Sequence, residues 1–283
     1  MIELKMLENG FQYIEVRNRK AEAKIALQGA HIFHFQARAR PSLLWLSKLS
    51  HFEHDKAIRG GVPICFPWFG KAPHDDSLPQ HGFARTAMWK LIYQEEIDEE
   101  TSRIELVLES SPQTKAVWDY DFEVRLTILI SDQLNLNMRI HNRDTQAFEV
   151  TSAFHSYFNI PNIQEVEITG LEDAPFYDDL TQNQAIQENS LRITKEIDRY
   201  YWEVAEKVSL INQNFTIEIR QEASSGMVVW NPWTGKSKMM SDMQNDAYRN
   251  MLCLETAQRG GQTQIIPAEG SATMRVSIDM LAN

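Results

Sequence analysis

The feature that most narrows what this chain can become is a recurrence of short segments that alternate apolar with polar residues or are rich in β-branched and aromatic ones. Helical periodicity over three or more turns is nearly absent. Such segments cover residues 11–16, 23–27, 104–108, 122–130, 134–140, 215–219 and 227–230. Only Ser131, Asp132 and Gln133 separate FEVRLTILI from LNLNMRI, so this pair reads as a hairpin whose strands each bury one face. The fold class that follows is all-β, a large antiparallel β-sandwich. No fixed-period repeat, low-complexity tract or Pro/Ser-rich linker interrupts the 283 residues, so residues 1–283 are expected to form one domain. The stretch 172–206 is more polar and less regular. It reads as a long excursion over one sheet, with short helical possibilities only near residues 180–188.

Charge narrows the partners. With 28 basic and 39 acidic residues the net charge is -11, opposite in sign to the footprint of a nucleic-acid binder. A negatively charged small substrate would therefore need a local cationic pocket, which makes individual arginines informative. The N-terminal MIELKMLENG has alternating charge and no apolar h-region, and no later run reaches bilayer length. No membrane association is expected, and the cytoplasm is the expected compartment. Two cysteines, Cys65 and Cys253, are too few for a disulfide framework and are expected as free thiols.

Four segments place ionisable residues among aromatics and turn residues in a way that packing alone explains poorly. They lie at 58–70 (IRGGVPICFPWFG), 78–85 (LPQHGFAR), 152–159 (SAFHSYFN) and 251–256 (MLCLET). Strand alternation puts His155 on one face with Ala153 and Tyr157, and Glu255 on one face with Met251 and Cys253. An imidazole there suits a general acid, with a pKa near neutrality. A carboxylate on an apolar strand face titrates high, as a reversible base must. The same residues read structurally are a core histidine bonded to a carbonyl and a buried carboxylate paired with an arginine. Arg59 precedes Gly60 and Gly61, where a backbone without Cβ atoms can approach a ligand. Arg85 closes a turn that also carries His81. Guanidinium forks match phosphate oxygens, although surface arginines are also commonly just solvated or paired with acids.

Those segments, with IDRY at 197–200, WNPW at 230–233, SDM at 241–243 and CLE at 253–255, occur in an order that resembles the aldose 1-epimerase superfamily. The closer resemblance is to its hexose-6-phosphate mutarotases. The resemblance implies a galactose-mutarotase-like supersandwich, a small-molecule sugar phosphate as partner, no cofactor and no metal. It leaves the oligomeric state open, with a monomer favoured. It makes His155 the acid at the ring oxygen and Glu255 the base at the anomeric hydroxyl; the strand facing puts the two across one pocket, about the width of a pyranose apart. His81 would position the ring, Asp198 would bind sugar hydroxyls, and Arg59 and Arg85 would meet the phosphate. Thr256, Ala257 and Gln258 stand where galactose-type relatives often carry Pro-Gly, which favours the sugar-phosphate subgroup over mutarotases of unphosphorylated aldoses. Two other classes fit parts of the sequence. One is a cupin-type metalloenzyme using His51, His54 and Asp55 or His74, Asp75 and Asp76. The other is a non-catalytic sugar binder stacking ligands on Trp68, Trp230 and Trp233.

Overall fold

The computed structural model describes residues 1–73, 75–224, 226–259 and 263–283. Two large sheets dominate it. The first runs Asn183–Ile186, Pro175–Asp178, Ile197–Trp202, Gly226–Asn231, Met251–Gln258, Ser152–Phe154 and Ile64–Cys65, with Tyr157–Asn159 also paired to Met251–Gln258. The second has nine strands, from Leu191–Arg192 at one edge through Ser271–Ala282 in the middle to Lys90–Glu96 at the other. A four-stranded N-terminal sheet, Ile2–Met6 to His31–Ala37, completes the main framework. The ladders of these sheets are antiparallel, and the chain is an all-β sandwich.

The expected hairpin is formed by Phe122–Ile130 and Leu134–Asn142, with Ile130 opposite Leu134. Its alternation does what the pattern requires: Val124, Leu126 and Ile128 are buried together with Leu136, Met138 and Ile140, while the intervening polar residues face outward. One buried cluster extends from Ile14 to Met280 and draws on both large sheets. A second, smaller cluster lies on the other face of the eight-stranded sheet and includes Ala153, Tyr157, Cys253 and Ala257.

Two sequence expectations give way. Residues 180–188 are not helical, because Asp178 accepts the backbone N–H groups of Leu180 and Thr181 and turns the chain into the hairpin Pro175–Asp178 with Asn183–Ile186. The stretch 172–206 is likewise no excursion over a sheet: it supplies three strands to the eight-stranded sheet and one to the nine-stranded sheet. Its polarity reflects edge position, since Asn183–Ile186 is exposed throughout. Cys65 and Cys253 are free, buried thiols. No helix among the described residues is long and apolar enough to cross a membrane.

Candidate active site

The site is built from register. Phe154 lies opposite Thr256 and Tyr157 opposite Cys253, so the intervening His155 stands opposite Glu255 although the strand breaks at residues 155–156. Hydrogen bonds on the other side hold this kink to a second segment: the N–H of His155 donates to Pro63 O at 3.0 Å and that of Tyr157 to Gly61 O at 2.9 Å. Val228 pairs Glu255 and Tyr200 pairs Val228, giving the cross-strand row Tyr200, Val228, Glu255, His155. The neighbouring row is Asp198, Trp230, Cys253, Tyr157. Four chain segments thus place these side chains on one sheet face.

His155 and Glu255 are 7% and 1% exposed, and His155 Nδ1 stands 3.3 Å from Glu255 Oε1. This corrects the expected ring-width separation. Side chains directly opposite on adjacent strands start about 5 Å apart at Cβ, so their ends meet. Among the described residues, His155 Nδ1 and Glu255 Oε2 are buried without a hydrogen-bond partner. Leaving buried polar atoms unsatisfied costs on the order of 1–3 kcal/mol each, which makes such a pair a sign of function rather than of packing. The imidazole lies flat on Tyr157, ring centroids 4.7 Å apart.

Burial pushes the Glu255 carboxyl well above its ordinary range; Asp198 adds to this and Arg259 opposes it. Burial also pushes His155 well below its ordinary value, helped by His81, Arg59 and Arg85. The direction expected for Glu255 holds, whereas the expected near-neutral titration of His155 does not. The sequence could not show that the ring is enclosed and faced by cationic groups.

The other predicted residues gather around this pair. His81 packs edge-on to His155, ring centroids 5.5 Å apart, and has a positive φ of 65°. That left-handed turn is fixed at both ends of the residue: His81 N–H donates to Gly70 O at 2.7 Å, and Gly70 N–H donates to His81 Nδ1 at 3.3 Å. The ring nitrogen that accepts cannot carry the proton, so Nε2–H is left as a donor. Burial, then Arg85, Arg59 and Arg259, lower the His81 pKa to about 3, so the ring is neutral. Arg59 donates from Nε to Asp242 at 3.1 Å and from Nη1 to the Tyr157 hydroxyl at 2.9 Å. Arg85 donates to the carbonyl of Gln80 at 2.8 Å. Asp198 is raised to about 6 by burial and then by Asp179, with Lys236 3.8 Å away opposing.

The glycines beside Arg59 serve a different purpose from the one expected. A Cβ on Gly61, at φ +64°, would sit 2.3 Å from Ile32 O and 2.7 Å from His31 Nε2. The turn needs glycine to pack against its own protein, and His31 Nε2 meets Gly60 O at 2.8 Å to secure it.

Sequence reasoning missed Arg259, which forms a two-pronged pair with Asp179 and lies over the rings of Phe69 and Tyr200 at 5.5 and 5.9 Å. It sits at the end of a strand whose Glu255 was recognised, and Asp179 is 80 residues away in sequence, so no local pattern links them. Tyr157 and Asp242 were within recognised motifs, but their pairing with Arg59 could not be read without the fold.

The two other sequence readings fare differently. His74 lies outside the described residues. His51 contacts Glu53, Asp75 binds Ser77, and Asp76 lies near Lys71; among the described residues neither loop set forms a compact donor group. The three tryptophans do not form one platform: Trp68 is in the main core and bonds Pro79 O, Trp230 is buried on the site face edge-on to His155 and Tyr157 at 6.3 and 6.1 Å, and Trp233 packs against Tyr248.

Residues 12–278 match the family described as aldose 1-epimerase. A protein of Escherichia coli strain K12 named "Putative glucose-6-phosphate 1-epimerase" is 33% identical, over 94% of this chain and 89% of its own. A protein of the same name from Cenchrus ciliaris is 32% identical over 90% and 80%. The crystal structure of a putative mutarotase, YeaD, from Salmonella typhimurium superposes with a TM-score of 0.93 at 30% identity, covering 100% of this chain and 94% of that one. A galactose mutarotase-like protein from Lactobacillus casei shares the fold, with a TM-score of 0.74 at 15% identity. On a match that spans nearly the whole sandwich, including every segment that builds the buried histidine–glutamate pair, the chain belongs to the aldose 1-epimerase family.

Proposed function

We propose that the protein is a mutarotase that interconverts the α and β anomers of a hexose 6-phosphate, glucose 6-phosphate foremost, with His155 and Glu255 as its acid–base pair. The observation that carries this reading is their juxtaposition: two buried titratable groups, opposite in register, 3.3 Å apart and with unsatisfied polar atoms. Ring opening requires one group to take the proton of the O1 hydroxyl while another delivers a proton to O5. Rotation about C1–C2 and reclosure reverse both transfers. One proton is shared by the pair before and after, each group acts as acid and as base, and no electron changes hands.

Adjacency makes this sharing economical. In water the proton would favour histidine, whose ordinary pKa of 6.5 exceeds the 4.5 of glutamate. Burial lowers the first and raises the second, which narrows the gap between the ion pair and the neutral pair. Either group can then hold the proton at small cost, as a cycle in which both act as acid and as base requires.

Around it, neutral His81 offers its Nε2–H to a sugar oxygen, and Asp198 accepts from sugar hydroxyls. Arg59 and Arg85 attract the phosphate. Both raise the positive potential felt at His81 and His155, an unusual local field in a chain of charge -11. The names of the relatives agree with a phosphorylated sugar. The core cluster running from Ile14 to Met280 supports treating residues 1–283 as one domain. Exchange between the anomeric protons of glucose 6-phosphate, followed by NMR beside free glucose and galactose 6-phosphate, tests the proposal. Exchange no faster than in buffer for all three would reject it.

A further inference from the structure

We propose that His155, Cys253 and Glu255 also form a binding site for a thiophilic divalent cation, zinc or cadmium, whose capture silences the acid–base pair. Donor atoms of these three side chains lie within 4.8 Å of one another, and all three residues are buried. Imidazole, thiolate and carboxylate are the donor types zinc takes in three-ligand protein sites that keep a fourth position open.

Register brings the set together. Cys253 and Glu255 are two apart on one strand and so share a face, and His155 stands across from Glu255. The 3.3 Å between His155 Nδ1 and Glu255 Oε1 is close to the separation of about 3.3 Å that two light ligands at about 2.0–2.1 Å span in a tetrahedron. No separation in the set exceeds 4.8 Å, so completing that geometry needs a contraction of at most about 1 Å, a shift within reach of side-chain rotation.

A second observation points to a ligand. Nδ1 of His155 and Oε2 of Glu255 are both buried without a hydrogen bond among the described residues, and Nδ1 faces only the Glu255 carboxyl at 3.3 Å, so the cluster carries buried donor atoms whose lone pairs are free for a ligand. Cys253 is fully buried on the same face, in one cluster with Tyr157. Charge also balances. Binding forms metal–nitrogen, metal–sulfur and metal–oxygen bonds, and the thiol and carboxyl protons leave to solvent. A dication with one thiolate, one carboxylate and a neutral imidazole sums to zero, which suits a low-dielectric sheet face. The lone pairs that would move protons are then tied up in the metal bonds.

The functional consequence rests on the mutarotase reading; the binding does not. Reduced full-length protein is titrated with cadmium ions alone, following the ultraviolet charge-transfer band of a cadmium-bound thiolate, and anomer exchange is measured separately with added zinc. The site requires one equivalent of cadmium to raise the band in the parent and in Cys65→Ser, and the band to vanish in Cys253→Ser. Zinc should stop exchange in the parent, and Cys253→Ser should need at least about tenfold more, the lower end of losses seen on disturbing zinc sites. Glu255→Gln must also weaken cadmium binding by about tenfold or more, and it decides the matter if Cys253→Ser does not fold. Absence of the band in the parent, or cadmium binding in the Cys253 or Glu255 variant as tight as in the parent, overturns the site. A parent that shows the band but no anomer exchange overturns the mutarotase reading and leaves the site standing.

Discussion

The two faces of the strand Met251–Gln258 and of the segment 152–159 are equally dry and chemically opposite. On one, Phe154, Phe158, Leu252 and Leu254 join the main core at 0–1% exposure. On the other, His155, Tyr157, Cys253 and Glu255 are buried at 0–7%. Burial therefore does not distinguish the working face from the packing face; ionisable side chains with unmet hydrogen-bonding capacity do. The polar groups on the core-side face, Ser152 and Thr256, are neutral hydroxyls, of which Ser152 Oγ lacks a partner, whereas the other face leaves an imidazole nitrogen and a carboxylate oxygen without partners. A period of two lets one strand serve both purposes, because each residue's neighbour in sequence belongs to the other face.

Adjacent residues should therefore fail in different ways. Glu255→Gln and His155→Asn should each lower anomer exchange by about 10²–10⁴, the usual contribution of a general acid or base, while thermal melts stay near the parent. Leu254→Ala, one position away, should do the reverse: a loss of about 2–5 kcal/mol in denaturant titration, with exchange per folded molecule unchanged. If a folded Glu255→Gln exchanged anomers within a few-fold of the parent, the division between the faces would collapse.

A weaker effect tests how the two regions are joined. His31, 1% exposed beneath the Arg59 turn, is lowered to about 4 by burial, with the bond to Gly60 opposing and Arg85 assisting. Its folded pKa lies below the 6.5 of the unfolded chain, so the unfolded state binds the extra proton between these values. The contribution is intact above pH 6.5 and is lost as pH falls toward 4, up to about 3 kcal/mol for this group. Unfolding titrations across that window should show the decline, and His31→Gln should flatten it; parallel curves for parent and variant would remove His31 from the account.

How much of this was legible follows from distance along the chain. Alternation is local, and it placed the hairpin strands at residues 122–130 and 134–140, which the structure extends to 142, and the facing of His155 and Glu255. Register is not local. Nothing in AFHSYF or CLE states that residue 155 stands opposite 255, so the sequence supported a shared face but not a 3.3 Å contact. Enclosure is also a property of the assembled sheets, which is why the low pKa of His155 was out of reach. Arg259 was missed because its partner Asp179 lies in the stretch whose polarity concealed four strands. The glycines at 60–61 were visible as a close approach, but whether ligand or backbone approached could be settled only by finding Ile32 and Trp45 against them.

The two arginines flanking the site give the finest comparison. Arg59 is committed to Asp242 and Tyr157, and the hydroxyl it holds belongs to the ring stacked on His155. Among the described residues Arg85 is held by a carbonyl alone, so its charge meets no carboxylate in its hydrogen bonds there. Truncating Arg59 should therefore disturb stability and turnover together, because it strands a part-buried Asp242 and frees the Tyr157 hydroxyl. Arg85→Ala should leave the melt nearly unchanged and act on the substrate. Loss of one charge-assisted bond, about 1.5–3 kcal/mol, corresponds to a rise in KM for glucose 6-phosphate of about tenfold to a hundredfold. Exchange of free glucose, which carries no phosphate, should barely move. An equal effect on both sugars would make Arg85 a scaffold for the His81 turn, whose Gln80 carbonyl it already grips, and would leave the phosphate to Arg59 and Arg259.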